Sequence, residues 1–126
     1  MEAAQEKEDI SATIQDYFCG MIYGDAPRLK RAFHERAQII GFFPGELSFE
    51  TPDEFAEFCA AEADLTEGDP FVARIESIDI TGNAAIAKVV NQVLGDWFTD
   101  YLSLLKIEGR WIIVNKHYHL HPRAES

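Results

Sequence analysis

Ile10, Ile14, Tyr17, Phe18, Met21 and Ile22 recur at the spacing of one helical face. They predict a helix that starts near Ile10, with Asp9 or Ser11 as its cap, and stops at Gly24, where a left-handed residue suits a helix end. Asp25 followed by Pro27 opens a second, short helix with Leu29, Ala32 and Phe33 turned inward and its end near His34. Gln38 to Phe43 reads as a strand, Pro44-Gly45 as a type II turn, and Glu46 to Glu50 as the returning strand. Thr51-Pro52-Asp53-Glu54 then combines a capping Thr, Pro at the first helical position and Glu at the third. The helix it starts buries Phe55, Phe58 and Cys59 and turns Asp53, Glu54, Glu57 and Asp64 outward.

After Gly68-Asp69-Pro70 the pattern becomes that of strands: Phe71 to Ile80, Ala84 to Leu94, Trp97 to Ile107 and Arg110 to His121. Gly82-Asn83, Gly95-Asp96 and Glu108-Gly109 separate them. Helices that segregate from long antiparallel strands define an α+β class. The chain reads as a single domain, 1–126, with 1–8 and 123–126 as flexible ends.

The tight Glu108-Gly109 turn sets a register. If Ile107 pairs with Arg110, then Leu104 faces Ile113, Leu102 faces Asn115, Asp100 faces His117 and Phe98 faces His119, all on one sheet face. A carboxylate opposite an imidazole either raises the His pKa or orients a neutral base. The same pair serves equally as an ion pair on a wet sheet face. His117, His119 and His121 alternate along one strand, as metal ligands can, but a zinc site needs three or four ligands and no Cys or Glu stands at a matching spacing. No metal is expected. His34 suits a cation at a helix C-terminus, and Tyr17 either a core residue or a hydroxyl at a pocket rim.

Composition narrows the function classes. Lys and Arg total 11 against 22 Asp and Glu, a net charge of −11. Nine of the acids lie between Glu46 and Asp69, which holds no Lys or Arg; the other 13 acids and 11 bases nearly cancel. Such a chain is repelled by nucleic acid and by anionic membranes, and the acidic segment reads as a solvated outer helix face. Hydrophobic content of 47 % with nine Phe argues for a packed core. No stretch resembles a secretory leader or a membrane span. Cys19 and Cys59 are too few and too far apart for a disulfide framework, so reduced thiols and a cytoplasmic location are expected. No serine lies in a nucleophile elbow and no glycine-rich loop would cradle a phosphate; no cofactor is called for.

Tyr23-Gly24-Asp25, Leu29, Ala32-Phe33-His34 and the closing run Phe98-Thr99-Asp100-Tyr101-Leu102 through Gly109-Arg110-Trp111 to Asn115-Lys116 resemble the nuclear transport factor 2-like superfamily. Within it the match is to the family labelled putative lumazine-binding, related to SnoaL-like proteins, over about Ile10 to Pro122. Relatives often read Phe-His-Pro-Asp-Ala where this chain has Phe33-His34-Glu35-Arg36-Ala37, so the family's Asp is missing here. The resemblance implies a cone-shaped, cystatin-like fold: a curved antiparallel sheet wrapped around three helices from the first half of the chain. It also implies an open pocket for a small-molecule ligand and homodimerisation through the outer sheet face. Superfamily members include isomerases, dehydratases, cyclases and proteins without known catalysis, so fold alone does not give the activity. Asp100 lies where the resemblance places a pocket acid. Two readings stand. In one the protein is a homodimeric small-molecule binder, its pocket lined by Tyr17, His34, Phe98, Leu102, Trp111, Asn115 and His119. In the other it is an acid–base enzyme acting on a small cyclic or aromatic substrate, with His117 as base, Asp100 as its orienter and Tyr17 or Asn115 donating to developing negative charge.

Overall fold

The computed structural model describes residues 2–123. Its elements are α1 (Glu2–Ile22), α2 (Ala26–Ala32), β1 (Phe33–Phe42), β2 (Leu47–Glu50), α3 (Pro52–Glu62), β3 (Ala73–Thr81), β4 (Ala84–Val93), β5 (Asp96–Ile107) and β6 (Arg110–Leu120). The strands form one curved, open sheet in the order β2-β1-β6-β5-β4-β3. The α+β reading holds, but the sheet is mixed rather than wholly antiparallel: β1 runs parallel to β6. All other neighbours are antiparallel.

Alternation on the long strands turns Ala87, Val89 and Asn91 of β4, Asp100, Leu102 and Leu104 of β5, and Trp111 and Ile113 of β6 inward. They meet Ile10, Ile14, Tyr17, Phe18 and Met21 on the apolar face of α1. Each fully buried aliphatic or aromatic side chain stabilises by roughly 1.5–3 kcal/mol before chain entropy is counted. α3 begins with the predicted reciprocal cap: Glu54 N–H donates to Thr51 Oγ1 at 3.1 Å, and Thr51 N–H donates to Glu54 Oε1 at 2.9 Å. Both cysteines are buried and unpaired in helices.

The boundaries differ from the sequence pattern for identifiable reasons. α1 starts at Glu2, not near Ile10, so residues 2–8, expected to be a flexible end, are helical. Glu6 anchors them, accepting from Trp111 Nε1 at 3.1 Å and from Lys106 Nζ at 3.0 Å. At the other end, residues 124–126 of the expected flexible tail lie outside the described residues; Arg123 pairs with Asp96 at 2.6 Å. α2 stops at Ala32 because Phe33 is already extended, and β1 begins there rather than at Gln38. The expected type II turn instead carries a cis Phe43–Pro44 bond, with Gly45 at φ +98° and Phe43 N–H donating to the Glu46 carbonyl at 2.8 Å. Phe58, expected to be buried, is 44 % exposed.

The last hairpin matters most. Its first pairs follow the turn as expected, from Ile107–Arg110 to Leu104–Ile113. Val114 then bulges out of the ladder, and the next pair is Ser103–Asn115. Beyond the bulge every partner is displaced by one residue. Asp100 faces Tyr118 instead of His117, Leu102 faces Lys116 instead of Asn115, and Phe98 faces Leu120 instead of His119. The bulge turns β6 over, so Lys116 takes an inward place and His117 an outward one.

Gly20 stands in mid-helix, where Ala would ordinarily be the more stable choice by about 0.5–1 kcal/mol. A Cβ there would lie 2.5 Å from the Leu29 backbone nitrogen, so the close crossing of α1 and α2 requires glycine. Gly20→Ala is therefore expected to lower stability by about 2 kcal/mol despite its better helix propensity. A urea midpoint equal to or above that of the unsubstituted protein would contradict this packing.

Candidate functional site

Three elements converge on one buried carboxylate. Asp100 of β5 is 1 % exposed, and its Oδ2 accepts from Tyr17 of α1 at 2.5 Å and from Asn91 of β4 at 2.7 Å. Its other oxygen, Oδ1, is buried with no hydrogen-bond partner among the described residues. The Asp100 charge and burial both act on Tyr17, with burial the larger effect, and hold its phenol well above the ordinary tyrosine value. Tyr17 is thus a fixed hydrogen-bond donor to the carboxylate.

Beside this cluster lies Lys116 of β6, only 4 % exposed. Its Nζ sits 4.1 Å from the centre of the Phe55 ring, 5.0 Å from that of Tyr17 and 5.2 Å from that of Tyr118. Among the described residues, no carboxylate oxygen comes within 4.0 Å of it. Burial pushes the amine below the usual lysine range, and the charges of Asp100 and Glu50 oppose that only in part. Burial likewise raises the Glu50 carboxyl, against the pull of Lys116. It also raises the Tyr118 phenol and pushes the Cys59 thiol up to about 12, which makes that thiol a poor nucleophile near neutral pH.

Lys116, Asn91, Glu50 and Tyr118 line a cavity of about 220 Å³ whose remaining wall is largely Phe43, Phe55, Phe58 and Phe98. This is smaller than the pockets that hold drug-sized ligands, so it suits a small, mostly apolar occupant. Phe43 and Phe98 stack with ring centres 6.2 Å apart, closing one side. The Tyr118 ring lies flat over Gly41, where an added Cβ would come within 2.5 Å of it. Glycine on β1 therefore sets the width of the cavity. Asp100 and Tyr17 do not line it; Asn91, which does, connects them to it.

The residues expected at the site separate into three groups. Tyr17 is bound to Asp100, and Phe98 lines the cavity, as Asp100's inward orientation would allow. Leu102 and Trp111 are buried in the core and Trp111 points its Nε1 at Glu6, away from the cavity. Asn115, His117 and His119 belong to the outward side of β6. His117 stacks on Tyr101 with ring centres 5.3 Å apart, and His119 contacts His121 edge-on at 4.7 Å. His34 is not a helix-end cation but the second residue of β1, its Nδ1 accepting from the Arg36 N–H at 3.0 Å. The expected Asp100–His117 pair is not formed, because the Val114 bulge puts the two on opposite faces. Among the described residues, no cluster of three His, Cys, Asp or Glu side chains could hold a metal ion. No helix among them is long and apolar enough to cross a membrane.

Sequence reasoning passed over Lys116, Asn91, Glu50 and Tyr118. Asn91 was accessible: it continues the inward series Ala87, Val89 as a polar residue at an inward position. Glu50 was absorbed into the acidic segment, although it alone of those nine acids borders the cavity. Lys116 and Tyr118 required knowledge of the bulge, for which no local residue gives a signal.

The family model described as putative lumazine-binding matches residues 5–119. Among curated proteins, Aldolase FrzH from Cladobotryum sp. is 31 % identical over 123 residues, covering 95 % of each chain. Two solved structures of nuclear transport factor 2-like proteins of unknown function are similar throughout. That from Silicibacter pomeroyi is 31 % identical, covers 96 % of this chain and 100 % of its own, and superposes with a TM-score of 0.90. That from Shewanella baltica is 30 % identical, with coverages of 95 % and 97 % and a TM-score of 0.85. The chain belongs to the putative lumazine-binding family of the nuclear transport factor 2-like superfamily.

A lysine whose amine is held below its unfolded value costs stability wherever the unfolded chain would carry the proton. That cost is fully present below the folded amine's own value, shrinks as pH rises through it, and vanishes past the free-lysine value of about 10.4. Lys116→Met, which keeps the volume and removes the charge, is expected to gain about 1–2 kcal/mol at pH 7. The gain should shrink as pH rises towards that free-lysine value. Urea titrations at several pH values check both the sign and the trend.

Proposed function

We propose that the protein is an enzyme that moves a proton at the carbon beside the carbonyl group of a small, largely apolar substrate, in an aldol-type or isomerisation reaction. The observation that carries this reading is Lys116, a buried amine facing an aromatic-walled cavity with no carboxylate of the described residues in ion-pair contact. Burial disfavours the charged form of that amine, which favours its use as a base or nucleophile. Glu50, half-buried on the same wall, supplies a second proton-transfer group. Asp100 is a positioning residue: Tyr17 and Asn91 hold its carboxylate behind the cavity, where its charge acts on Lys116. Removal of a proton next to a carbonyl is the first step of aldol chemistry, and the similarity to a protein named an aldolase supports the same class. The roles fall to Lys116 and Glu50, not to His117, which stands on the other face of the sheet.

This reading is checked by following hydrogen–deuterium exchange at the carbons next to the carbonyl of cyclohexanone and acetophenone by proton NMR in D2O. The protein is expected to exceed the buffer rate, and Lys116→Met to lose about 100-fold of that excess. His117→Asn should exchange at the unsubstituted rate. Exchange no faster than buffer, or insensitive to Lys116→Met, would remove the reading.

We propose further that a second copy covers the outer face of the sheet, where Ile86 and Leu105 are solvent-exposed on the adjacent strands β4 and β5. A stable interface needs roughly 800 Å² from each partner, and a charge at its centre opposes burial. Light scattering should therefore show a dimer for the unsubstituted chain and a monomer for Ile86→Glu. A monomeric unsubstituted chain would refute the assignment.

A further inference from the structure

We propose that Lys116 acts covalently, forming a protonated Schiff base with an aldehyde or ketone held in the cavity; this rests on the carbonyl reading above and names the intermediate. Two unpartnered groups argue for it. Asp100 Oδ1 is buried without a hydrogen-bond partner, and Lys116 Nζ is not within 4.0 Å of any carboxylate among the described residues. If Lys116 served only to neutralise Asp100, an ammonium hydrogen directed at Oδ1 would satisfy both at once. Instead the amine sits against the Phe55 ring on the cavity wall, while Tyr17 and Asn91 satisfy Oδ2. The carboxylate is thus held near the amine without capturing its hydrogens. That arrangement leaves the nitrogen lone pair accessible from the cavity and keeps a negative charge nearby to stabilise a cationic adduct.

The step balances with groups that line the same cavity. The Lys116 lone pair bonds to the carbonyl carbon, the C=O π pair moves to oxygen, and that oxygen takes the proton the nitrogen sheds. The resulting hydroxyl then takes the proton of the Glu50 carboxyl and leaves as water, while the nitrogen lone pair closes the C=N bond. The products are a cationic iminium on Lys116, a carboxylate on Glu50 and one water molecule. The Glu50 carboxylate can next accept a proton from the carbon beside the iminium, giving an enamine and restoring the acid. Glu50 is suited to both directions because burial raises its carboxyl above the ordinary range and so favours the protonated form. The aromatic wall favours substrates with an apolar body.

The full chain, incubated at pH 7 with cyclohexanone or benzaldehyde and then reduced with borohydride, should gain the probe's mass less its oxygen. Peptide mapping should place several-fold more label on Lys116 than on Lys7, Lys30, Lys88 or Lys106, because of the five lysines it is Lys116 that lines the cavity where the carbonyl compound is held. Lys116→Met should lose that label while the other lysines keep theirs. Even labelling of all five lysines, or no label with either probe, overturns the Schiff base. If Lys116-dependent hydrogen exchange persists without a trapped adduct, the proton-transfer function stands and only the covalent step falls. Loss of both removes both.

Discussion

A carboxylate with almost no contact with water sets the terms for the interior of this protein. Asp100 occupies a position that the alternation of β5 otherwise fills with leucine, and a buried carboxyl without donors is costly. Two donors from distant parts of the chain meet that need, Tyr17 from the first helix and Asn91 from the neighbouring strand. The bonds therefore fix more than the carboxylate. They set the rotation of α1 about its axis and align α1 with the centre of the sheet. They also require an inward-facing Asn on β4, where packing alone would favour an aliphatic residue.

Lys116 follows from the same constraint. A bulge at Val114 delivers it to the inner face of the sheet beside Asp100, yet aromatic rings rather than a carboxylate surround its amine. Two opposite charges are kept close but unpaired, an arrangement that contributes little to stability and is characteristic of sites that hold groups in reactive protonation states. The phenylalanines that form the cavity wall maintain a low dielectric around the pair, and Gly41 leaves space for the Tyr118 ring at its rim.

Much of this architecture was legible in the sequence because it rests on periodicity and punctuation. The amphipathic run from Ile10, the Thr51-to-Glu54 cap and the glycine turns of the closing hairpins all specify local structure strongly. The inward position of Asp100 was legible as well, since it shares a period of two with Leu102 and Leu104. The inner face of β6 was not. Its register was extrapolated from the Glu108-Gly109 turn and is right for the residues nearest that turn, but Val114 carries no local mark of a bulge. One extra residue exchanged the histidine row for Lys116 and Tyr118. The early start of α1 was hidden for a different reason: residues 2–8 have no apolar stripe, and their anchor, Glu6 with Trp111 and Lys106, is about a hundred residues away in the chain.

The position of β6 within the sheet has one further consequence. The last strand in chain order is an interior strand, hydrogen-bonded to β1 on one side and β5 on the other. Until it is in place, β1 and β2 have no connection to the remaining strands, and Lys116 is absent from the cavity. Synthesis from the N-terminus thus assembles helices and two separate pieces of sheet before the segment that joins them exists. Such long-range closure is slow compared with local pairing and leaves unpaired strand edges exposed meanwhile. The buried lysine of the cavity and the completion of the fold arrive together, so a chain interrupted before β6 carries neither.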